Sequence, residues 1–346
     1  MNGGSKGADA WRTQSAERQV VVDRRARSPR GGALRVLVVG DLGLEMPVDV
    51  PGSQSQFLRS LKGQSAQLDL GWSTRRMRVG GFVGRAAGFA YSLGAEVSIC
   101  TIVPAEPPDP ISRFLRGFAE RQMFLTTVSG NCPIDTRFRC ADGVLSVRRR
   151  GILDQTLPHL PDQACCDFDL LLIDPSQLAW KSPIMDWLAG VLNVRAGTPL
   201  AAVRVDNIGP VDSDVCDRWD DRVWPFMRLT DARAAYAAHI DPQSGTTGLN
   251  WIDELRSLGR FEQLVIQLGE GGAAVSRPSA PVERVLTCPV EPVDYCGAGD
   301  LLMTVAGLSL ANGVDTMTCF RRAVQAATGL VAGLQPPGSL EELDDM

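Results

Sequence analysis

Gly297-Ala298-Gly299-Asp300 stands directly before an apolar run from Leu301 to Ala311. Small residues ahead of a helix let backbone N–H groups approach an anion closely, and the helix N-terminus adds the positive end of its dipole. An Asp in the first helical turn then reaches the place where a phosphoryl group would be transferred. Taken alone, the same four residues also describe a tight turn followed by a helix cap. Other chemistries lack their parts. His159 and His239 are the only histidines, and the nine cysteines include the adjacent Cys165 and Cys166 but no Cys-x-x-Cys, which argues against a zinc ribbon or a His-rich metal centre. Lys6, Lys62 and Lys181 are the only lysines and none follows Gly, so a Walker A loop and a protein-kinase strand lysine are both missing. The first apolar run leads into Gly40 and Gly43 without a Gly-x-Gly-x-x-Gly, which makes a dinucleotide-dependent dehydrogenase a poor fit.

The elements that must position this motif alternate. Apolar, β-branched runs at Leu34–Val39, Val97–Val103, Leu170–Ile173, Leu200–Val205 and Leu264–Leu268 have the character of strands buried on both faces of a parallel sheet. Helical segments are predicted between them at Val83–Leu93, Ile111–Arg121, Pro183–Val194, Asp231–Ala238 and Trp251–Leu258, and after the motif at Leu301–Ala311 and about Met317–Leu334. That alternation predicts a doubly wound α/β sheet. Two segments break it. Residues 46–79 are polar with scattered Gly and Ser, and Asp135–Arg150 alternates in strand fashion around Asp142-Gly143. Both are expected to leave the main sheet as a small β-rich lid, over about 46–79 and 132–150.

A chain of 346 residues with 44% hydrophobic and 22% charged residues is expected to form one main domain, here residues 34–340. Residues 1–33 carry roughly seven basic against three acidic side chains and no apolar stretch of signal-peptide length, and are expected to be a disordered basic tail. A net charge of −5 gives no basic face for nucleic acid, and no window of 18 apolar residues predicts a membrane span. Cysteines set in apolar runs fit a reduced, cytoplasmic compartment.

The stretch from Asp294 to Asp300 resembles the Asp-x-x-Gly-Ala-Gly-Asp signature of the phosphofructokinase-B family, which includes ribokinase, adenosine kinase and bacterial heptose-phosphate kinases. The resemblance extends over about residues 34–335. Val36–Glu45 is similar to the family's first strand, Gly80-Gly81 through Ala95 to its Gly-Gly segment and helix, and Thr136–Arg139 with Val144–Arg150 to a lid hairpin, most closely that of heptose kinases. Leu268-Gly269-Glu270-Gly271-Gly272-Ala273 resembles the nucleotide-side turn, and Gln325 with Ala326–Gly333 the helix near the adenine. The resemblance implies a ribokinase-like fold and a carbohydrate kinase using ATP and Mg²⁺. Asp300 would be the general base, and the N–H groups of Gly297, Ala298 and Gly299 the anion hole. Asp41, Glu45, Gly80, Gly81, Arg85 and Arg137 would bind the acceptor, and Gly269, Gly272, Asp294 and Gln325 the nucleotide. The lid is a candidate homodimer surface.

Departures from the family pattern sharpen these expectations. Where members carry Asn-x-x-Glu near the metal, Arg228–Ala235 reads Arg-Leu-Thr-Asp-Ala-Arg-Ala-Ala, so no metal ligand is assigned. Asp231 is either a partial substitute or a helix cap. Arg85 replaces the family's acceptor-binding Asn; its fork suits a carboxylate or phosphate on the acceptor, and a solvent-facing Arg is the plain alternative. Arg148-Arg149-Arg150 adds cationic charge along the same segment. The competing expectation is a catalytically weak relative that binds nucleotide or sugar as a regulator.

Overall fold

Apolar runs without polar alternation need cover on both faces, and here they receive it. The structure, a computed structural model, describes residues 32–50, 52–62, 77–140, 143–149, 159–162, 167–175, 181–194, 199–205, 219–239, 248–340 and 342. The expected tail, apart from residues 32 and 33, and Arg150, Cys165 and Cys166 lie outside them. The strands are β1 (Arg35–Val39), β2 (Gly43–Asp49), β3 (Arg78–Gly80), β4 (Glu96–Pro104), β5 (Met123–Val128), β6 (Ile134–Cys140), β7 (Gly143–Arg149), β8 (Leu170–Ile173), β9 (Leu200–Arg204), β10 (Val223–Arg228), β11 (Leu264–Gln267), β12 (Ala273–Ser276) and β13 (Glu283–Val285). The helices are α1 (Gln54–Lys62), α2 (Gly81–Ser92), α3 (Asp109–Gly117), α4 (Lys181–Val194), α5 (Leu229–His239), α6 (Asn250–Leu258), α7 (Ala298–Ala311) and α8 (Thr316–Val331).

The main sheet runs β13-β12-β11-β10-β9-β8-β1-β4-β5. Its pairs are parallel except β11 with β12 and β12 with β13. Successive residues of a strand point to opposite faces, and β1 shows the result. Val36 and Val38 enter one core with Phe82, Ala86, Leu301 and Phe320, while Leu37 and Val39 enter the other with Ile184, Leu188, Ala232 and Ile252. Helices therefore cover both faces, as predicted. Leu301 through Ser309 are buried all round α7, which seats that helix deep against the sheet and fixes the position of its N-terminus.

A second sheet, β3-β2-β6-β7, holds the lid segments. β2 begins at Gly43 rather than 46, and α1 lies in the same segment, its Phe57 ring 4.7 Å from that of Phe138 on β6. The segment is thus a strand-helix-strand excursion, because Phe57 gives α1 an apolar anchor on the small sheet. β1 pairs with both β4 and β8, so the strand order reverses at β1. In open α/β sheets the crevice beyond the strands' carboxyl ends at such a reversal is where ligands bind.

Candidate active site

The site assembles where those carboxyl ends meet the N-terminus of α7. Gly297 has φ of 82°, a left-handed conformation open to glycine, and a Cβ there would lie 3.0 Å from Arg85 Cδ. The turn delivers Asp300 into the first turn of α7, with 3% of the residue exposed. Its two carboxylate oxygens are claimed by different arginines: Arg204 Nη2 donates to Oδ1 and Arg85 Nε to Oδ2. Arg204, the last residue of β9, also donates from Nη1 to Asp174 Oδ2 at 2.7 Å and lies 5.2 Å over the Phe82 ring. Arg85, on α2, reaches Glu45 Oε1 with Nη1.

Glu45, on β2 and 1% exposed, is the second hub. Besides Arg85 it accepts from Arg78 Nε at 3.1 Å, and Arg137 Nη2 lies 3.7 Å from Oε1. Gly80 permits this, since a Cβ there would come within 2.2 Å of Glu45 Cγ. The Cys296 thiol donates to Glu45 at 3.4 Å and is pushed up to about 12 by burial and then by Glu45, against the nearby arginines, so it stays protonated. Burial pushes Asp300 up as well, but the charges of Arg204 and Arg85 and their hydrogen bonds outweigh it and lower its pKa to about 2. The same pairing holds Arg85 well above the ordinary guanidinium range despite its desolvation.

Two clefts open on this network. One, of about 530 Å³, is lined by Val290, Pro292, Leu302, Val324, Ala327 and Val331 among others, a largely apolar slot suited to a flat heterocycle. The other, of about 480 Å³, is lined by Arg85, Arg137, Arg204 and Arg228, with Asp300 in its wall. Gln267, Gly269, Tyr295 and Gly299 line both. The clefts therefore adjoin at the N-terminal turn of α7, whose first N–H groups have no acceptor within the helix.

The structure sorts the expected residues. Asp300, Gly297, Gly299, Arg85 and Arg137 converge on the arginine-lined cleft, Ala298, Gly269 and Gly272 on the apolar slot. Arg85 faces inward rather than to solvent. Asp41 accepts from the Phe82 N–H at 2.8 Å, bracing the start of α2. Asp294 accepts from the Cys296 N–H at 2.9 Å and from Arg78 at 3.4 Å, so it braces the loop before α7. Gln325 falls off the Val324, Ala327, Thr328, Val331 stripe of α8 that lines the slot. Asp231 sits in the first turn of α5, and its Oδ2 is buried without a hydrogen bond to a described residue. Arg204, Asp174, Arg78 and Arg228 went unremarked in the sequence. A charged residue closing the apolar run Leu200–Val205 was the signal for Arg204, because a buried guanidinium requires a partner.

A protein-held Mg²⁺ does not fit this donor set. Among the described residues no three His, Cys, Asp or Glu side chains are arranged to hold a metal ion, and Asp300 is engaged by two guanidiniums in a cleft lined by four. Among the described residues, no helix is long and apolar enough to cross a membrane, and Cys132, Cys288, Cys296 and Cys319 form no disulfide.

No family model matches the sequence, and no curated protein matches it by sequence. Solved structures do match by fold. Ribokinase from Thermotoga maritima superimposes with a TM-score of 0.67 at 14% identity, over 90% of this chain and 98% of that one. A Burkholderia thailandensis nucleoside kinase in complex with inosine gives 0.64 at 15% identity, over 90% and 96%. Ribokinase from Cryptococcus neoformans var. grubii in complex with ADP gives 0.62 at 15% identity, over 90% and 99%. The chain has the ribokinase-like fold over about 90% of its length.

Proposed function

We propose that the chain is a phosphotransferase that moves the γ-phosphoryl group of ATP to a hydroxyl of a sugar, sugar phosphate or related small molecule, with Asp300 as the base. The observation that carries this reading is the adjoining of an apolar slot and a polar cleft at Gly299, with a buried carboxylate one residue further along α7. ATP in the slot would stack its base between the Val290–Pro292 segment and α8, and its phosphates would run toward the Gly297–Gly299 turn. The acceptor would occupy the arginine-lined cleft, where an acidic or phosphorylated molecule is favoured. One fold neighbour was solved with ADP and another with inosine, which supports a nucleotide and a small-molecule partner for this fold.

Phosphoryl transfer asks little covalent work of a protein, so positioning and charge stabilisation dominate. Asp300 takes the acceptor's hydroxyl proton as its oxygen bonds to phosphorus and the bond to the ADP oxygen breaks. The N–H groups at the start of α7, with Arg204, face the charge on the transferring group. A second reading, an anion-binding regulator with little turnover, is favoured by the engagement of both Asp300 oxygens with arginine. The two separate on one experiment. Asp300→Asn should reduce acceptor-dependent ADP release by about 10²–10⁴ with ATP affinity kept, the worth of a positioned base; activity within a few-fold of wild type removes Asp300 from the chemistry.

A further inference from the structure

The two guanidiniums on Asp300 are held differently. Arg204 is 4% exposed and fixed on its far side by Asp174 and the Phe82 ring. The Arg85 side chain is 19% exposed and forms part of the cleft wall. Its Nε and Nη1 serve Asp300 and Glu45, while Nη2 makes no hydrogen bond to a described residue. Arg228, in the same wall, makes neither a hydrogen bond nor an ion pair with a described residue, and Asp231 is a charge in its neighbourhood. An anion in this cleft therefore meets one whole uncommitted guanidinium, that of Arg228, and two partly committed ones, those of Arg85 and Arg137.

A phosphate or carboxylate takes a guanidinium best through two parallel N–H bonds. For Arg85 that means turning an edge of its fork into the cleft, and Nε and Nη1 are the atoms that hold Asp300 and Glu45. A carboxylate with both oxygens on guanidiniums is a weak proton acceptor. We propose that an anionic group on the acceptor unlocks the base: it draws Arg85 off Asp300 Oδ2, and Arg204 alone then holds Oδ1 in place. Asp300 becomes a competent base only when such an acceptor is bound, and Arg85 is the residue through which the site checks for it. This deepens the phosphotransferase reading and rests on it for its purpose.

The competition is testable without turnover, because two groups that claim one guanidinium oppose each other's binding by equal free energies. Inorganic phosphate is titrated calorimetrically into the full chain at low ionic strength. Asp300→Asn should bind phosphate about 5- to 150-fold more tightly than wild type, the usual span of such coupling. Glu45→Gln should tighten it too, and supplies a second route if Asp300→Asn does not fold. Arg85→Met should weaken binding by about tenfold or more. In the Arg85→Met background, Asp300→Asn should change affinity by less than about twofold. Equal tightening in that background would mean that charge alone is responsible and would overturn the gate. So would unchanged or weaker binding in both Asp300→Asn and Glu45→Gln, or undiminished binding in Arg85→Met. Linkage without phosphorylation of any acceptor would refute only the phosphotransferase reading; turnover without linkage would refute only the gate.

Discussion

The two clefts that adjoin at Gly299 are made of opposite materials. The slot is built from backbone turns and apolar side chains drawn mostly from one stretch, the 267–302 segment, with α8 behind it. The other cleft is built from charge, and its members come from the ends of strands and helices far apart in sequence: Arg85, Arg137, Arg204, Arg228 and Asp300. A slot of the first kind selects by shape and changes little with ionic strength. A cleft of the second kind selects by charge, and each of its groups depends on the partners that neutralise it.

That dependence predicts the largest stability effect in the molecule. Arg204→Met would leave Asp174 and Asp300 buried without their shared cation, and breaking a buried pair costs about 3–5 kcal/mol. The denaturation midpoint of the variant should fall accordingly; an unchanged midpoint would show that the network is not a structural support. Ala327→Trp, by contrast, fills the slot and touches no charge. It should raise the KM for ATP about tenfold, a loss of about 1.4 kcal/mol, and leave the acceptor's KM alone. Movement of both constants together would mean that the clefts are not separate sites.

The pH response sharpens the contrast. Asp300 is depressed to about 2, so its ion-paired form is fully present above the ordinary carboxylate value and is lost only as pH falls through about 2. The acid limb of kcat/KM, which reports the free enzyme, should therefore show no Asp300 titration between pH 7 and about 4. If acceptor binding draws Arg85 away, the pKa rises in the complex, and the limb of kcat should lie at least about one pH unit higher than that of kcat/KM. Coincident limbs would place Arg85 on Asp300 throughout the cycle. The smallest effect belongs to the rim. Arg228→Ala should raise the acceptor's KM only about two- to fivefold, as an exposed charge does, and the difference should shrink in salt.

The same contrast governs what could be read from the amino acids. The sheet, its flanking helices and the turn before α7 were legible because they are written locally, in runs such as Leu170–Ile173 and in Gly297-Ala298-Gly299-Asp300. The slot followed from them. The charged cleft followed only in part: Arg85, Arg137 and Asp300 were expected on the acceptor side, but the link to Arg204 was not, since it joins Asp300 to a residue 96 positions away. Asp294 and Gln325 show what a motif alone leaves open. The family resemblance marked them for nucleotide contact; Asp294 accepts from the Cys296 N–H, and Gln325 lies beside the stripe of α8 that lines the slot. Asp41, which the resemblance marked for the acceptor, accepts the Phe82 N–H at the start of α2.

The central claim is that Asp300 serves the arginine-lined cleft as the base of a phosphoryl transfer. Its most direct test is to follow ADP and phosphorylated product together, by phosphorus NMR, over matched pairs of sugars and sugar phosphates with wild type and Asp300→Asn. The account predicts one-to-one formation of ADP and product, faster with the phosphorylated member of a pair, and loss of both products by about 10²–10⁴ in Asp300→Asn. Equal rates for the two proteins, or ADP formed without any phosphorylated acceptor across the panel, would contradict it.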